Sequence, residues 1–111
     1  MGITKTDLFT ERQNQLATVA KGLAHPARIA IIDHLLQSKS CINSDLVGEL
    51  GLAQATISQH LRELKELGII KGTVEGVSMC YCIDHERWLA IKKDFTLFFE
   101  SFQMDSDPNC C

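Results

Sequence analysis

The stretch from Leu46 to Leu67, LVGELGLAQATISQHLRELKEL, narrows the choice of fold more than any other part of the chain. Its first few residues carry apolar side chains at Leu46, Val47 and Leu50. Past Gly51 they recur at Ala53, Ile57, Leu61, Leu64 and Leu67, with the four-and-three spacing that gives a helix one buried face. Gly51 stands where a tight turn between helices needs a residue tolerant of positive φ. A short helix, a glycine turn and a second helix make a helix-turn-helix. The second helix opens with Gln54, Thr56, Ser58, Gln59 and His60. These side chains can bond base edges or phosphates. An ordinary solvated face favours Lys and Glu, as the same helix shows further on at Arg62, Glu63, Lys65 and Glu66. The polar, uncharged start therefore predicts a surface that reads DNA, with the competing reading being a bundle helix with a polar side.

The flanking segments complete a small domain. Thr6 or Asp7 is expected to cap a first helix running to about Gly22, with Phe9, Leu16, Val19, Ala20 and Leu23 as its apolar positions. His25-Pro26 breaks the chain, and Pro26 suits the first position of a second helix burying Ile29, Ile32, Leu35 and Leu36. Gly68 should end the reading helix. A strand from Ile69, a turn at Thr73–Gly76 and a return strand from Val77 to Ile83 make a two-stranded wing, with Met79, Tyr81 and Ile83 on one face and Cys80 and Cys82 on the other. Asp84 then caps a last helix from His85 to about Met104. The expected architecture is a mainly α winged helix-turn-helix of five helices and a two-stranded wing. It occupies residues 1–104 as one domain for DNA binding and dimerisation, followed by a flexible cysteine-containing tail at 105–111.

In the last helix Trp88, Ile91, Phe95, Phe98 and Phe102 step by three and four, and Leu89 and Phe99 widen the stripe. Some of these close the core of one chain. A stripe this long and aromatic also suits a homodimer interface, and a two-fold protein fits an imperfectly palindromic site in double-stranded DNA.

Charge argues less clearly for DNA. The net charge is −3. It divides as +2 over residues 1–40, −2 over 41–83 and −3 over 84–111, so no strong basic patch is visible. That feature keeps a second class open, a helix-turn-helix used only for protein–protein association. An enzyme is not expected, because no nucleophile–base set, phosphate-binding glycine loop or three-His metal signature occurs. There is no apolar run long enough for a membrane span and no signal-peptide core, which leads to an expected cytoplasmic location with the five cysteines mostly reduced.

Three segments, LAHPARIAIIDHLL, DLVGELGLAQATISQHLRELKELGIIKG and EGVSMCYCI, resemble the ArsR/SmtB family of winged-helix repressors over roughly residues 14–100. The resemblance implies a homodimer, joined through its first and last helices, that binds operator DNA without a cofactor and lets go when an inducer, often a metal or metalloid, binds. It also implies that Gln54, Thr56, Ser58, Gln59, His60 and Arg62 lie on the DNA-facing helix. The chain departs from the family at the wing turn, where Thr73, Val74, Glu75, Gly76 and Val77 stand in place of Arg or Lys.

The family's Cys-x-Cys site is represented by one thiol, Cys41, and its last-helix site by Asp84 and His85 with no later His. Sulfur elsewhere suits a soft ion better. Cys110 and Cys111 are adjacent, and both can face one large thiophilic ion more easily than they can bond each other. Some arsenic-responsive relatives likewise use an adjacent pair and a third thiol. Here Cys41, Cys80 and Cys82 are the candidates, and As(III) or Sb(III) is the expected inducer. Cys80 and Cys82 have a competing reading as small core residues behind the wing. The alternative switch is thiol oxidation or persulfide formation involving Cys41.

Overall fold

A computed structural model of the chain describes residues 8–37, 46–73 and 80–102. The expected caps Thr6 and Asp7, Cys41, Met79 and the tail with Cys110 and Cys111 lie outside the described residues, as do Val74, Glu75, Gly76 and Val77.

Five helices and one antiparallel hairpin follow in the order α1 (Glu11–Leu23), α2 (Pro26–Leu36), α3 (Leu46–Leu50), α4 (Gln54–Glu66), β1 (Ile70–Thr73), β2 (Cys80–Ile83) and α5 (His85–Glu100). The first helix begins later than expected. Thr10 is its cap: the Thr10 hydroxyl accepts from the Gln13 amide, and the Gln13 side chain accepts in return from the Thr10 amide, a reciprocal capping box. Pro26 opens α2 as anticipated, and the His25 ring caps it by accepting from the Ala27 amide at 3.0 Å.

Gly51 has φ 71°, the left-handed conformation the turn into α4 requires. At the other end of α4, the Ile69 amide donates to the Leu64 carbonyl and the Gly68 amide to that of Lys65. This paired pattern satisfies carbonyls that the helix leaves open and turns the chain sharply into the wing.

The core gathers where α2, α4 and the wing meet. Ile31, Ile57, Leu61, Leu64, Ile69 and Tyr81 are the most deeply buried of its residues, and Val19 of α1 and Ile91 of α5 close it from the other side. Two expected core positions on α2 differ: Ile29 and Leu36 are exposed, while Ile31 is fully buried. The buried face of α2 is centred on Ile31, Ile32 and Leu35, which leaves Ile29 and Leu36 on its flanks.

In the wing Ile70 pairs with Ile83 and Thr73 with Cys80. Thr73 therefore belongs to β1, not to the turn. Strand alternation sends Tyr81 and Ile83 into the core and leaves Cys80 exposed and Cys82 half-buried. Cys80 is therefore not a core residue behind the wing, while Cys82 is partly packed there. No helix among the described residues is long and apolar enough to cross a membrane.

Candidate nucleic-acid interface

Helix α4 buries Ile57, Leu61 and Leu64 and turns its opposite side outward. Gln54, Thr56, Gln59 and Arg62 are exposed and Ser58 is half-buried, so five of the six expected contact residues share the outer surface. Two short side-chain bonds run along it: the Gln54 amide nitrogen donates to the Ser58 hydroxyl at 3.2 Å, and the Gln59 amide nitrogen donates to Glu63 Oε1 at 3.0 Å. No side chain caps the start of α4, where Ala53 occupies the N-cap.

His60 does not join them. It is only 7 % exposed and faces inward, because it lies three residues after Ile57 and four before Leu64, on the apolar stripe itself. Its ring sits 4.5 Å from that of His25, and its Nδ1 accepts from Arg28 Nε at 3.1 Å. An arginine can only donate, so this nitrogen of His60 carries no proton. Burial first, and then the neighbouring His25 and Arg28, hold the His60 pKa below its ordinary value.

Arg28 is the centre of this arrangement, and reading the residues one at a time missed it. Besides His60 it donates through Nη1 to the Gly22 carbonyl at 2.9 Å and forms an ion pair through Nη2 with Glu63. One guanidinium thereby ties the end of α1 to two consecutive turns of α4. A signal was present: Arg28 is a cation in the first turn of an otherwise apolar helix, at the dipole's positive end. A charge in that setting needs a partner from elsewhere. A second link, His34 Nδ1 to Glu49 Oε2 at 2.8 Å, joins α2 to α3.

Arg87 holds the far end of α4. Its Nε donates to the Leu67 carbonyl at 3.1 Å, while its own backbone amide donates to the Asp84 cap of α5 at 3.1 Å.

The wing thiols are in two states. Cys82 is a free thiol and Cys80 is disulfide-bonded, so the Cys80 sulfur is not available as a thiolate ligand in this form. Among the described residues no three His, Cys, Asp or Glu side chains stand close enough together to hold a metal ion.

Along α5, and past its end at Glu100 to Phe102, the stripe divides. Ile91 is buried and Trp88 and Phe95 are half-buried against the core, whereas Phe98, Phe99 and Phe102 are exposed, together with Leu89 and Leu97. Leu8 and Phe9, just ahead of α1, are exposed as well.

Comparison with known proteins agrees with this layout. Residues 25–71, from the α2 cap to the first wing strand, match the model of the arsR family of bacterial regulatory proteins. The transcriptional repressor SmtB of Mycobacterium tuberculosis is 39 % identical over 66 residues, 59 % of this chain and 48 % of the relative. The chain thus spans about half the length of that curated relative. An uncharacterised helix-turn-helix regulator of Methanocaldococcus jannaschii, MJ1325, is 34 % identical over 77 residues, 69 % of this chain and 86 % of the relative. The crystal structure of M. tuberculosis Rv0081 superposes with a TM-score of 0.58 at 28 % identity, covering 84 % of this chain and 96 % of that one. With its helix order, its wing and the segment that matches, the chain belongs to the arsR family of bacterial regulatory proteins.

Proposed function

We propose that the chain works as a homodimeric repressor that grips an imperfect palindrome of operator DNA and is released by a thiophilic inducer. The observation that carries this reading is the outer surface of α4, where Gln54, Thr56, Ser58, Gln59 and Arg62 stand free of the core that the other side of the same helix builds. Dimerisation is supported by the exposed aromatic end of α5, since a soluble chain gains by covering a contiguous apolar patch. His60 is assigned to holding the helix in place and not to DNA.

For the inducer, the reading is As(III) or Sb(III) bound by Cys110, Cys111 and a third thiolate from Cys41 or Cys82. The support is chemical: two adjacent cysteines, in their reduced form, and a free wing thiol suit a soft ion. One observation favours a second switch. Cys80 is already in a disulfide, and an exposed strand cysteine that can be oxidised provides a route for thiol oxidation to act on the wing.

The test begins with selection of bound sequences from randomised duplexes, followed by fluorescence anisotropy on the selected site at two salt concentrations. Arsenite, zinc and a persulfide donor are then added separately to the complex. Release by arsenite that is lost in the Cys110→Ser, Cys111→Ser protein supports the metalloid reading. Release by the persulfide donor alone supports the redox reading, and failure to select any sequence refutes both.

A further inference from the structure

Gln59 differs from the other polar residues of the outer surface in having its amide orientation settled. Its nitrogen donates to Glu63 Oε1, and a carboxylate can only accept, so the nitrogen has to face Glu63. Gln54 has no such constraint, because its partner is the Ser58 hydroxyl, which can donate or accept. Glu63 is itself held. Its second oxygen is shut off from solvent and paired with Arg28, which is anchored in turn on the Gly22 carbonyl and on His60. A continuous series of polar contacts thus runs from the end of α1 to an exposed amide on the reading helix.

We propose that Glu63, fixed by Arg28, is a positioning residue that presents Gln59 to read adenine in the major groove. Glu63 takes one of the two amide hydrogens. The oxygen and the remaining hydrogen then form an acceptor beside a donor, which is the complement of adenine N6–H and N7. Guanine offers two acceptors at its major-groove edge and would need two donors from the same amide. Cytosine and thymine each offer a single polar group there, which leaves half of the amide unmatched. A free glutamine can turn its amide over and accommodate other bases, whereas one tied to a held carboxylate cannot. This inference rests on the reading of α4 as the DNA-contacting helix.

The experiment is selection from randomised duplexes with the wild-type protein, Gln59→Ala and Glu63→Ala, followed by 7-deazaadenine, which lacks N7, placed at each selected adenine. The wild type should prefer adenine at one symmetric position per half-site. At that position 7-deazaadenine should weaken binding roughly 5- to 100-fold for the wild type and leave Gln59→Ala unaffected. Glu63→Ala should select the same bases elsewhere in the site but lose the preference at this one position, an outcome that general loosening of the helix does not produce.

A Gln59-dependent preference for another base, or an adenine preference that Glu63→Ala retains in full, overturns the inference and leaves the DNA-binding reading standing. If no sequence is selected by the wild type, both fall. If Glu63→Ala does not fold, the unaltered protein decides: no loss with 7-deazaadenine at any selected adenine overturns the inference.

Discussion

Replacing Arg28 with methionine keeps a long apolar stem and deletes the guanidinium, which makes it a direct measure of what this one group contributes. Two acceptors lose their donor, the Gly22 carbonyl at 2.9 Å and His60 Nδ1 at 3.1 Å, and one oxygen of Glu63 loses its ion-pair partner. A hydrogen bond from a charged donor contributes about 1.5–3 kcal/mol, and adding two of them and the ion pair naively gives an overestimate. Glu63 keeps 34 % of its side-chain surface exposed, so its share is discounted toward the ~1 kcal/mol of a surface pair, although the oxygen facing Arg28 is itself shut off from solvent. Removing the guanidinium also relieves its own desolvation, since Arg28 is only 16 % exposed. The balance is a loss of about 2–4 kcal/mol, dominated by the orphaned His60 and Gly22 groups. In a domain of this size that lowers Tm by on the order of 10–20 °C. Urea denaturation followed by circular dichroism measures it. Adding Glu63→Leu to Arg28→Met should recover part of the loss, because the unpaired carboxylate goes too. A single-variant loss below about 0.5 kcal/mol, the range of an ordinary surface change, would refute the view that Arg28 clamps the helices.

Three other outcomes follow from particular side chains. Tyr81 is fully buried with a hydroxyl that finds no partner among the described residues, and burial, reinforced by Glu49, pushes its pKa up; Tyr81→Phe should therefore raise stability by about 1 kcal/mol in urea melts, and a loss of that size would contradict the orphaned hydroxyl. His60 has a folded pKa below its ordinary 6.5, so the unfolded chain takes up this proton first. Its contribution is then fully present above pH 6.5 and declines as pH falls through that value, so unfolding free energy measured from about pH 7.5 to 5.5 should drop in the wild type and drop less in His60→Gln. Phe98→Glu places a charge in the aromatic face of α5, and light scattering should find monomer or aggregate in place of the proposed dimer, with operator binding lost; an intact dimer would assign the face another role.

What the sequence made legible is whatever is decided over a few residues. Pro26, Gly51 and Gly68 each impose a backbone constraint that few contexts override, and all three stand where their chemistry placed them. The spacing of Ile57, Leu61 and Leu64 set the buried side of α4 for the same reason. The start of α1 was misplaced although Thr10-Glu11-Arg12-Gln13 spells a capping box, because any Thr or Asp upstream of a helix competes as a cap. His60 was grouped with its neighbours by residue type when its helical phase pointed inward. The Arg28–His60 bond spans 32 positions, and no local pattern names the partner of a lone cation. Of the proposed thiol set, the structure describes only the wing cysteines, and exposure removes the core reading for Cys80 alone.

Among the described residues, two guanidinium groups tie α4 to its neighbours, and these narrow how the proposed inducer could act. In its middle, Arg28 joins His60 and Glu63 to the Gly22 carbonyl of α1. At its end, Arg87 of α5 donates to the Leu67 carbonyl, and Leu67 lies against Gly22 so closely that a Cβ there would come within 2.1 Å of its Cδ1. Both ties lead to α1 and α5, and the exposed apolar residues near α1 and along α5 are the ones a partner subunit would cover. A change in how two subunits meet therefore has a short mechanical route to α4, through one guanidinium on each side. Binding alone does not use that route, because a ligand shifts an equilibrium only by the difference in its affinity for the two states. A coupling of about 1–3 kcal/mol, which is 5- to 150-fold in operator affinity, is comparable to a single charged hydrogen bond. Breaking either the Arg28 or the Arg87 tie on binding of the proposed inducer would thus be large enough to account for release, with no need to unfold α4.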